Sequence, residues 1–383
     1  MKTLRYVSKN TLLPILFGFF VMGFVDVVGI AANYVKKDFV LSDTLANLLP
    51  MMVFFWFAVV SIPSGVMMSR IGKKKMVATA MLVTIIAMIL PMCGYTFSVV
   101  LIAFALLGIG NTMLQVALNP MVAELISGRS LASVLTLGQF LKALSSFLGP
   151  LVAGAAAAWW GDWKLMFPFY ALVTLVSLLW LCGCVRETTS KEMHTASFSS
   201  VVVLFKDSYI LMLFLGILLI VGIDVGLNTT IPRLLMERTN LSLDEAGLGT
   251  SLYFSARTVG TFAGTFLLVR VPSARFFKVS MLACIPVFIG MIFFHSLWMI
   301  GIMIVLIGLL CANVFSILFS YALRHKPAYD SEISALMIMG VSGGALIPLL
   351  MGVLSDEFGL VAGLSVLLFC LLYLLIVSYR AKA

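Results

Sequence analysis

The chain has 383 residues, of which 62% are hydrophobic and only 11% are charged. This composition excludes an ordinary soluble globular protein and indicates that lipid is the main solvent for most side chains. The net charge of +9 does not indicate nucleic-acid binding, because the basic residues form short clusters between long apolar runs.

Twelve stretches along the chain are long and apolar enough to cross a membrane, which takes about 20 residues per helix. The predicted helices span residues 12–35, 45–69, 76–95, 98–125, 131–158, 164–185, 209–235, 246–270, 276–294, 297–323, 331–355 and 360–379. The first follows three basic residues and so resembles a secretory signal. Because this stretch is long enough to span and contains Asp26, we interpret it as an uncleaved helix.

The longest polar stretch, RETTSKEMHTASFSSVVVLFKD from Arg186 to Asp207, divides the chain near its middle. It predicts an N-terminal six-helix bundle at 1–185, a cytoplasmic linker loop at 186–208 and a C-terminal six-helix bundle at 209–383. The halves also share short patterns at near-constant spacing. The recurring pairs are Leu41-Ser42 with Leu241-Ser242, Gly108 with Gly308, Asp26 with Asp224, and Pro150-Leu151 with Pro348-Leu349. These recurrences indicate a duplicated unit, an architecture typical of transporters with a substrate site at mid-membrane depth.

The distribution of lysine and arginine predicts the orientation, because positive loops are retained in the cytoplasm. With both termini cytoplasmic, eighteen basic residues lie inside and five outside: inside Lys2, Arg5, Lys9, Arg70, Lys73, Lys74, Lys75, Arg129, Arg186, Lys191, Lys206, Arg270, Arg275, Lys278, Arg324, Lys326, Arg380 and Lys382; outside Lys36, Lys37, Lys164, Arg233 and Arg238. We therefore expect a multi-pass protein of the plasma membrane, the inner membrane of a bacterium.

The segment GVMMSRIGKKK, from Gly65 to Lys75, resembles the loop signature of the major facilitator superfamily. Ser69 stands where that signature normally has an acid. Three further segments resemble the superfamily's branch of fucose, galactose and glucose proton symporters: SIPSG from Ser61, LQVALNP from Leu114 and SALMIMGVSGGALIPLLMG from Ser334. The resemblance implies two pseudo-symmetric six-helix bundles and proton-driven sugar uptake.

The sequence departs from this branch at three positions that the resemblance makes relevant. Gln115 stands where members often have an acid, and a glutamine cannot take up a proton. Asp26 lies about one turn from the position of the family's acid in the first helix. Lys142, in LTLGQFLKAL, stands where a neutral amide is common.

Four charged side chains fall inside predicted helices: Asp26, Lys142, Asp224 and Arg257. A charge near the centre of the bilayer costs at least about 2.5 to 3.5 kcal/mol unless it meets water or a partner. Two permanent ion pairs that only lock helices together would satisfy this requirement. We favour instead a charge pair that lines a central cavity and changes partner during transport, with Asp26 and Asp224 as candidate proton acceptors. A base beside an acid would oppose protonation, so the pairing decides which acid can serve.

Polar residues within the helices are candidate substrate contacts. Asn111, Gln115 and Asn119 recur every four residues and so share one helix face, as do Gln139 with Lys142 and Asp224 with Asn228. Amides suit sugar hydroxyls, and aromatic rings can stack on a sugar's apolar face. The candidate set adds Asn313, Phe24, Trp56 and Tyr253. The alternative is that buried amides only join neighbouring helices.

These features favour a proton-coupled monosaccharide carrier that works by alternating access, with the lipid bilayer as its surroundings. A sodium-coupled sugar carrier, a carrier of an anionic sugar such as a uronic or sialic acid, and an exporter of amphipathic compounds stay open. A transporter-shaped receptor is disfavoured because the longest predicted loop has about 22 residues. We expect no enzyme activity, no cofactor or metal beyond the coupling ion H⁺ or Na⁺, no nucleic-acid partner and a monomeric protein.

Overall fold

The computed structural model describes residues 9–41, 45, 48–126, 130–185, 197–239, 241 and 243–381, and their regular structure is helical. Twelve helices in these ranges are long and apolar enough to span a membrane. In chain order, α1 to α12 are Asn10–Asp38, Leu48–Ile71, Lys73–Cys93, Phe97–Leu125, Ser130–Trp160, Trp163–Cys184, Ser208–Thr239, Ala246–Arg270, Ser273–Phe293, Leu297–His325, Pro327–Phe358 and Leu360–Arg380. The predicted all-α membrane protein with twelve transmembrane helices is confirmed.

Large apolar side chains are exposed along these helices, among them Phe147, Trp298 and Phe369. Such exposure would be unfavourable in water but is ordinary in lipid, where helices satisfy their own backbone hydrogen bonds. The chain is therefore an integral, multi-pass membrane protein.

Several helices extend beyond their predicted ends. The helix predicted at 12–35 is Asn10–Asp38, and the one predicted at 331–355 is Pro327–Phe358. The reason is that a helix continues through polar residues at the membrane surface, which a search for apolar residues excludes. The predicted range 246–270 ends where α8 ends, at Arg270, whereas the helix that contains this span begins three residues earlier, at Leu243.

Helix α1 is interrupted by a 3₁₀ segment, Gly23–Val27, which contains Asp26. A side chain at Gly23 would collide with the carbonyl oxygen of Lys142 and with Ser145, so glycine allows α1 and α5 to approach closely here. Helix α11 has a similar interruption at Gly340–Ser342. Neither interruption could be predicted from hydropathy, because the apolar content is unchanged across them.

The chain forms two compact units. The first comprises Met1–Ser127, Gly138–Val203 and Lys326–Met339, and the second comprises Gly128–Leu137, Leu204–His325 and Gly340–Ala383. The division at a linker spanning 186–208 stays a prediction. Residues 186–196 lie outside the described residues, whereas Phe198–Leu204 forms a short helix.

Equivalent close contacts in the two units support the predicted duplication. In the first unit a Cβ on Gly108 of α4 would lie 2.8 Å from the backbone oxygen of Val53 in α2. In the second unit a Cβ on Gly308 of α10 would lie 2.8 Å from the backbone oxygen of Tyr253 in α8. Gly308 lies 200 positions after Gly108, and Tyr253 lies 200 positions after Val53, so the same packing recurs at equivalent residues.

Ser42 and Ser242, from another recurring pair, lie outside the described residues, as do the basic residues Lys2, Arg5, Arg129, Arg186, Lys191 and Lys382.

Candidate functional site

The second unit holds a buried ion pair, which we call the Asp224 cluster, formed by Asp224, Tyr253 and Arg257. The Arg257 Nη2 atom lies 2.6 Å from Asp224 Oδ2, and the Tyr253 hydroxyl donates a 2.6 Å hydrogen bond to Asp224 Oδ1. Tyr253 and Arg257 are four residues apart, so both face α7 from one side of α8. Each carboxylate oxygen of Asp224 therefore has its own donor.

The Asp224 cluster is largely shielded from solvent. The side chains of Asp224 and Arg257 are 8% and 26% exposed, and Tyr253 is fully buried. A charge in such surroundings persists only when it is paired and hydrogen-bonded. The two acids and two bases inside the helices could form two ion pairs. The contacts of the described residues include one of them, between Asp224 and Arg257.

The first unit holds the other acid, in what we call the Asp26 cluster, formed by Asp26, Ser146 and Lys142. Asp26 is exposed, and its Oδ2 atom accepts a 2.5 Å hydrogen bond from the Ser146 hydroxyl. The same hydroxyl lies 2.9 Å from the backbone oxygen of Lys142, one turn earlier in α5. The side chain of Lys142 is half-buried. The partner that the structure gives Asp26 is thus a neutral hydroxyl, which the sequence analysis did not identify.

The three amides of α4 are buried and form a ladder. Asn111 donates to the backbone oxygen of Met22 in α1 at 3.0 Å, and Gln115 donates to Asn111 Oδ1 at 3.1 Å. Asn119 donates to the backbone oxygen of Gln115 at 2.8 Å. The Asn111 bond joins α4 to α1, as in the alternative in which amides join helices, whereas the other two bonds lie within α4. Substrate contact by the three residues stays a prediction.

The candidate aromatic residues have three different surroundings. Phe24 is buried, and its ring centroid lies 4.3 Å from that of Tyr170, so packing already accounts for the ring. Tyr253 belongs to the Asp224 cluster. Trp56 is half-buried, and its indole N–H has no hydrogen-bond partner among the described residues. Trp56 is therefore the candidate aromatic residue whose donor is left unpaired, although this nitrogen is itself buried, and substrate contact by Trp56 stays a prediction.

The remaining candidate amides are scattered. Gln139 is half-buried and Asn228 is exposed. Asn313 is buried, donates to the backbone oxygen of Gly260 at 3.1 Å and packs against Gly264. For Asn313 the contacts match helix packing, whereas substrate contact by Gln139 and Asn228 stays a prediction.

A third charged group, the Lys73 cluster, joins the loop signature to the start of α11 within the first unit. The ammonium of Lys73 contacts the carboxylates of Glu124 in α4 and Asp330 in α11. Ser69, at the acid position of the signature, bonds the backbone oxygen of Val66 in its own helix at 2.8 Å. Lys73 was predicted only as one of the cytoplasmic charges, and its pairing with the two acids was not predicted.

Replacing Lys73 with glutamine is expected to destabilise the protein by about 1 to 3 kcal/mol, because two carboxylates would lie together without their cation. The side chain of Lys73 is only 8% exposed, which limits rescue by water. Thermal unfolding in detergent measures the effect. The matched control is Arg70→Gln, which removes an exposed charge from the same signature segment, at the end of α2. Equal unfolding midpoints for the two variants would contradict this role for Lys73.

A further cluster that the sequence analysis missed lies at the opposite ends of the helices of the first unit. Asp38 Oδ2 accepts hydrogen bonds from the Tyr95 hydroxyl at 2.7 Å and from Trp163 Nε1 at 3.0 Å. Burial, and then the hydrogen bond to Asp38, raise the pKa of Tyr95 well above its ordinary value. The phenol therefore stays protonated, and stays a donor, throughout the physiological pH range.

A protein-family model, Major Facilitator Superfamily, matches residues 15–348. The chain belongs to the Major Facilitator Superfamily. A glucose/galactose transporter of Brucella abortus is 25% identical over 373 residues, covering 93% of this chain and 90% of that protein. A putative glucose/galactose transporter of Helicobacter pylori is 24% identical over 385 residues, covering 94% of each. The resemblance to the fucose, galactose and glucose symporter branch is confirmed.

Solved structures of other superfamily members share the fold. A variant of the E. coli fucose:proton symporter FucP superposes with a TM-score of 0.84 at 15% identity, covering 97% of this chain and 98% of that one. The human organic anion transporter MFSD10 gives a TM-score of 0.77 at 14% identity, covering 97% and 99%. The predicted major facilitator fold is therefore confirmed.

Proposed function

We propose that this superfamily member imports a monosaccharide together with protons by alternating access across a bacterial inner membrane, with both termini in the cytoplasm. The similarity to glucose/galactose transporters over 93% of the chain supports a sugar substrate. The excess of basic residues on one side supports the orientation. Proton coupling rests on the contrast between the two intramembrane acids.

The observation that carries the coupling proposal is that Asp224 is held by a cation, whereas Asp26 is held by a hydroxyl. The Arg257 guanidinium neutralises Asp224 and contacts one of its carboxylate oxygens, and the Tyr253 hydroxyl donates a hydrogen bond to the other. Asp26 is exposed and has the Ser146 hydroxyl at 2.5 Å. Water can deliver a proton to an exposed carboxylate without breaking an ion pair. We therefore assign proton uptake to Asp26 and a fixed, charge-compensated role to Asp224.

The Ser146 hydroxyl can serve both protonation states of Asp26, because a hydroxyl is both donor and acceptor. With Asp26 ionised, the hydroxyl donates to Oδ2. With Asp26 protonated, the acid donates its proton to Ser146 Oγ, and the serine proton turns to the backbone oxygen of Lys142, 2.9 Å away. Neither state leaves an unpaired donor, so protonation changes the net charge of the cluster at small structural cost.

The unpaired indole N–H of Trp56 supports a hydrogen bond to a sugar hydroxyl. Replacing Trp56 with phenylalanine keeps an aromatic face but removes this donor. We expect the apparent affinity for sugar to fall about threefold to tenfold, the value of one ordinary hydrogen bond, with little change in the unfolding temperature. Radiolabelled sugar uptake at varied concentration measures the affinity.

Trp163 provides the matched control, because its indole N–H is already bonded to Asp38. Trp163→Phe should lower stability by about 1 kcal/mol and leave the apparent affinity unchanged. If both variants lost affinity equally, or if neither did, a sugar contact at Trp56 would be excluded.

Uptake into proteoliposomes tests the proposed function directly. An imposed pH gradient, acidic outside, should drive accumulation of labelled glucose or galactose, and replacing sodium with choline should leave it unchanged. Accumulation that needs sodium but ignores pH would establish a sodium-coupled carrier instead. Accumulation of a uronic or sialic acid but of no neutral sugar would establish a carrier of anionic sugars.

A further inference from the structure

A groove of about 370 Å³ lies within the second unit, between helices α8, α9 and α10, and its lining does not include the residues of the Asp224 cluster. Its walls are almost entirely apolar and include Ala263, Leu267, Val279 and Leu310, with Arg275 as its charged residue. Leu267 and Val279 are among the large apolar side chains exposed on this unit. The groove therefore continues the lipid-facing surface rather than a polar cavity.

The length of the groove matches one leaflet of a bilayer. Along α8 and the residue that follows it, the groove extends from Gly260 to Val271, eleven positions apart, or roughly 16 Å at 1.5 Å per residue. Half of a hydrocarbon core of about 30 Å is about 15 Å. One acyl chain lying along the groove would thus reach from the membrane surface to the bilayer centre.

The charged end of the groove lies where a lipid headgroup would be. Helix α8 ends at Arg270 and α9 begins at Ser273, so Arg275 is within the first turn of α9, and it is exposed. The sequence contains no aspartate or glutamate between Glu245 and Asp330, so α8, α9 and α10 offer Arg275 no acidic partner of their own beyond residue 245. The neighbouring Lys278 lies over the ring of Tyr379, 3.8 Å from its centroid. Arg275 is therefore the cation that this groove presents to a phosphate.

At the deep end of the groove, the lining includes the polar side chain of Asn313. The amide nitrogen of Asn313 donates to the backbone oxygen of Gly260, and its side chain packs against Gly264. The side-chain oxygen of Asn313 has no hydrogen-bond partner among the described residues, but it is buried, and a methylene chain needs no polar partner there.

We propose that this groove binds one anionic phospholipid, with an acyl chain between α8, α9 and α10 and the phosphate on Arg275. Basic pockets between transmembrane helices at the cytoplasmic surface favour anionic headgroups. The proposal does not depend on which solute the protein carries.

Lipid titration of the purified full chain in neutral detergent tests the proposal, with thermal stabilisation and native mass spectrometry as readouts. Phosphatidylglycerol should bind about fivefold more tightly than phosphatidylcholine of the same chain length. Arg275→Gln should abolish this preference and Arg275→Lys should keep most of it. Ala263→Phe, which fills the groove without changing charge, should weaken binding of both lipids.

Arg380→Gln is the matched control, because it removes an exposed charge from the end of α12, outside the groove. This variant should retain the full preference for phosphatidylglycerol. An equal affinity of the unaltered protein for the two lipids, or an equal loss in the Arg275 and Arg380 variants, would show non-specific surrounding lipid only and overturn the proposal. Native mass spectrometry of Arg275→Gln beside Arg275→Lys decides the matter even if Ala263→Phe does not fold.

Discussion

Replacing Asp26 with asparagine is expected to abolish proton-driven accumulation of sugar while leaving exchange of labelled for unlabelled sugar intact. Asparagine has nearly the same shape and can still accept a hydrogen bond from Ser146, but it cannot take up a proton. A gradient of one pH unit stores 1.36 kcal/mol per proton, which supports about tenfold accumulation with one coupled proton. The variant should therefore lose about a factor of ten in accumulation under that gradient. Uptake and counterflow in the same proteoliposomes measure the two quantities.

Two variants of Ser146 sharpen this experiment. Ser146→Thr keeps a hydroxyl and should retain coupling, whereas Ser146→Ala removes the group that accommodates both protonation states of Asp26. We expect the alanine variant to shift the pH dependence of uptake without preventing exchange. Normal accumulation by Asp26→Asn would mean that the proton binds elsewhere, even if sugar transport itself were confirmed.

Replacing Arg257 with glutamine is expected to destabilise the protein by about 3 kcal/mol. The change leaves the Asp224 carboxylate buried without its cation, which costs about 3 to 5 kcal/mol for fully buried pairs. The lower end of this range applies here, because the side chain of Arg257 is 26% exposed and the pair is therefore not fully buried. Replacing both partners, as Asp224→Asn with Arg257→Gln, should restore most of the stability because no unpaired charge remains. Thermal unfolding of the single and double variants forms a double-mutant cycle.

The pair of Arg233 and Glu237 serves as the control for this cycle. It also joins an arginine to an acid, with 3.0 Å between Arg233 Nε and Glu237 Oε1, but both side chains are about half exposed. Arg233→Gln should cost less than 1 kcal/mol. Similar losses at Arg233 and Arg257, or no recovery in the double variant, would contradict a buried and mutually dependent pair.

Most of the fold could be predicted because the bilayer imposes a simple rule on the sequence. A spanning segment must be apolar and helical over about 20 residues, so hydropathy alone finds α1 to α12. The same rule identified Asp224 and Arg257, because charges are costly at that depth and need partners. The recurrence at an offset of 200 residues was visible at Gly108 and Gly308, and the structure explains it through their equivalent contacts.

Partners between distant helices could not be predicted, because a single sequence does not state which faces meet. Ser146 is an ordinary residue in α5, and only the approach of α1 at Gly23 makes it the partner of Asp26. Lys73 matched the expected pattern of cytoplasmic charges, which gave no reason to assign it to Glu124 and Asp330. Phe24 illustrates the same limit, because an aromatic residue on a helix suits ligand stacking and core packing equally well until its neighbours are known.

The 3₁₀ winding of Gly23–Val27 makes the direction of Asp26 sensitive to a small change in helical pitch. Each residue advances by about 120° around a 3₁₀-helix and by about 100° around an α-helix. If this five-residue segment rewound as α-helix, the residues after it would turn by roughly 100° relative to those before it. A local twist of one helix would then suffice to swing the carboxylate away from Ser146, with no need to translate α1 as a whole.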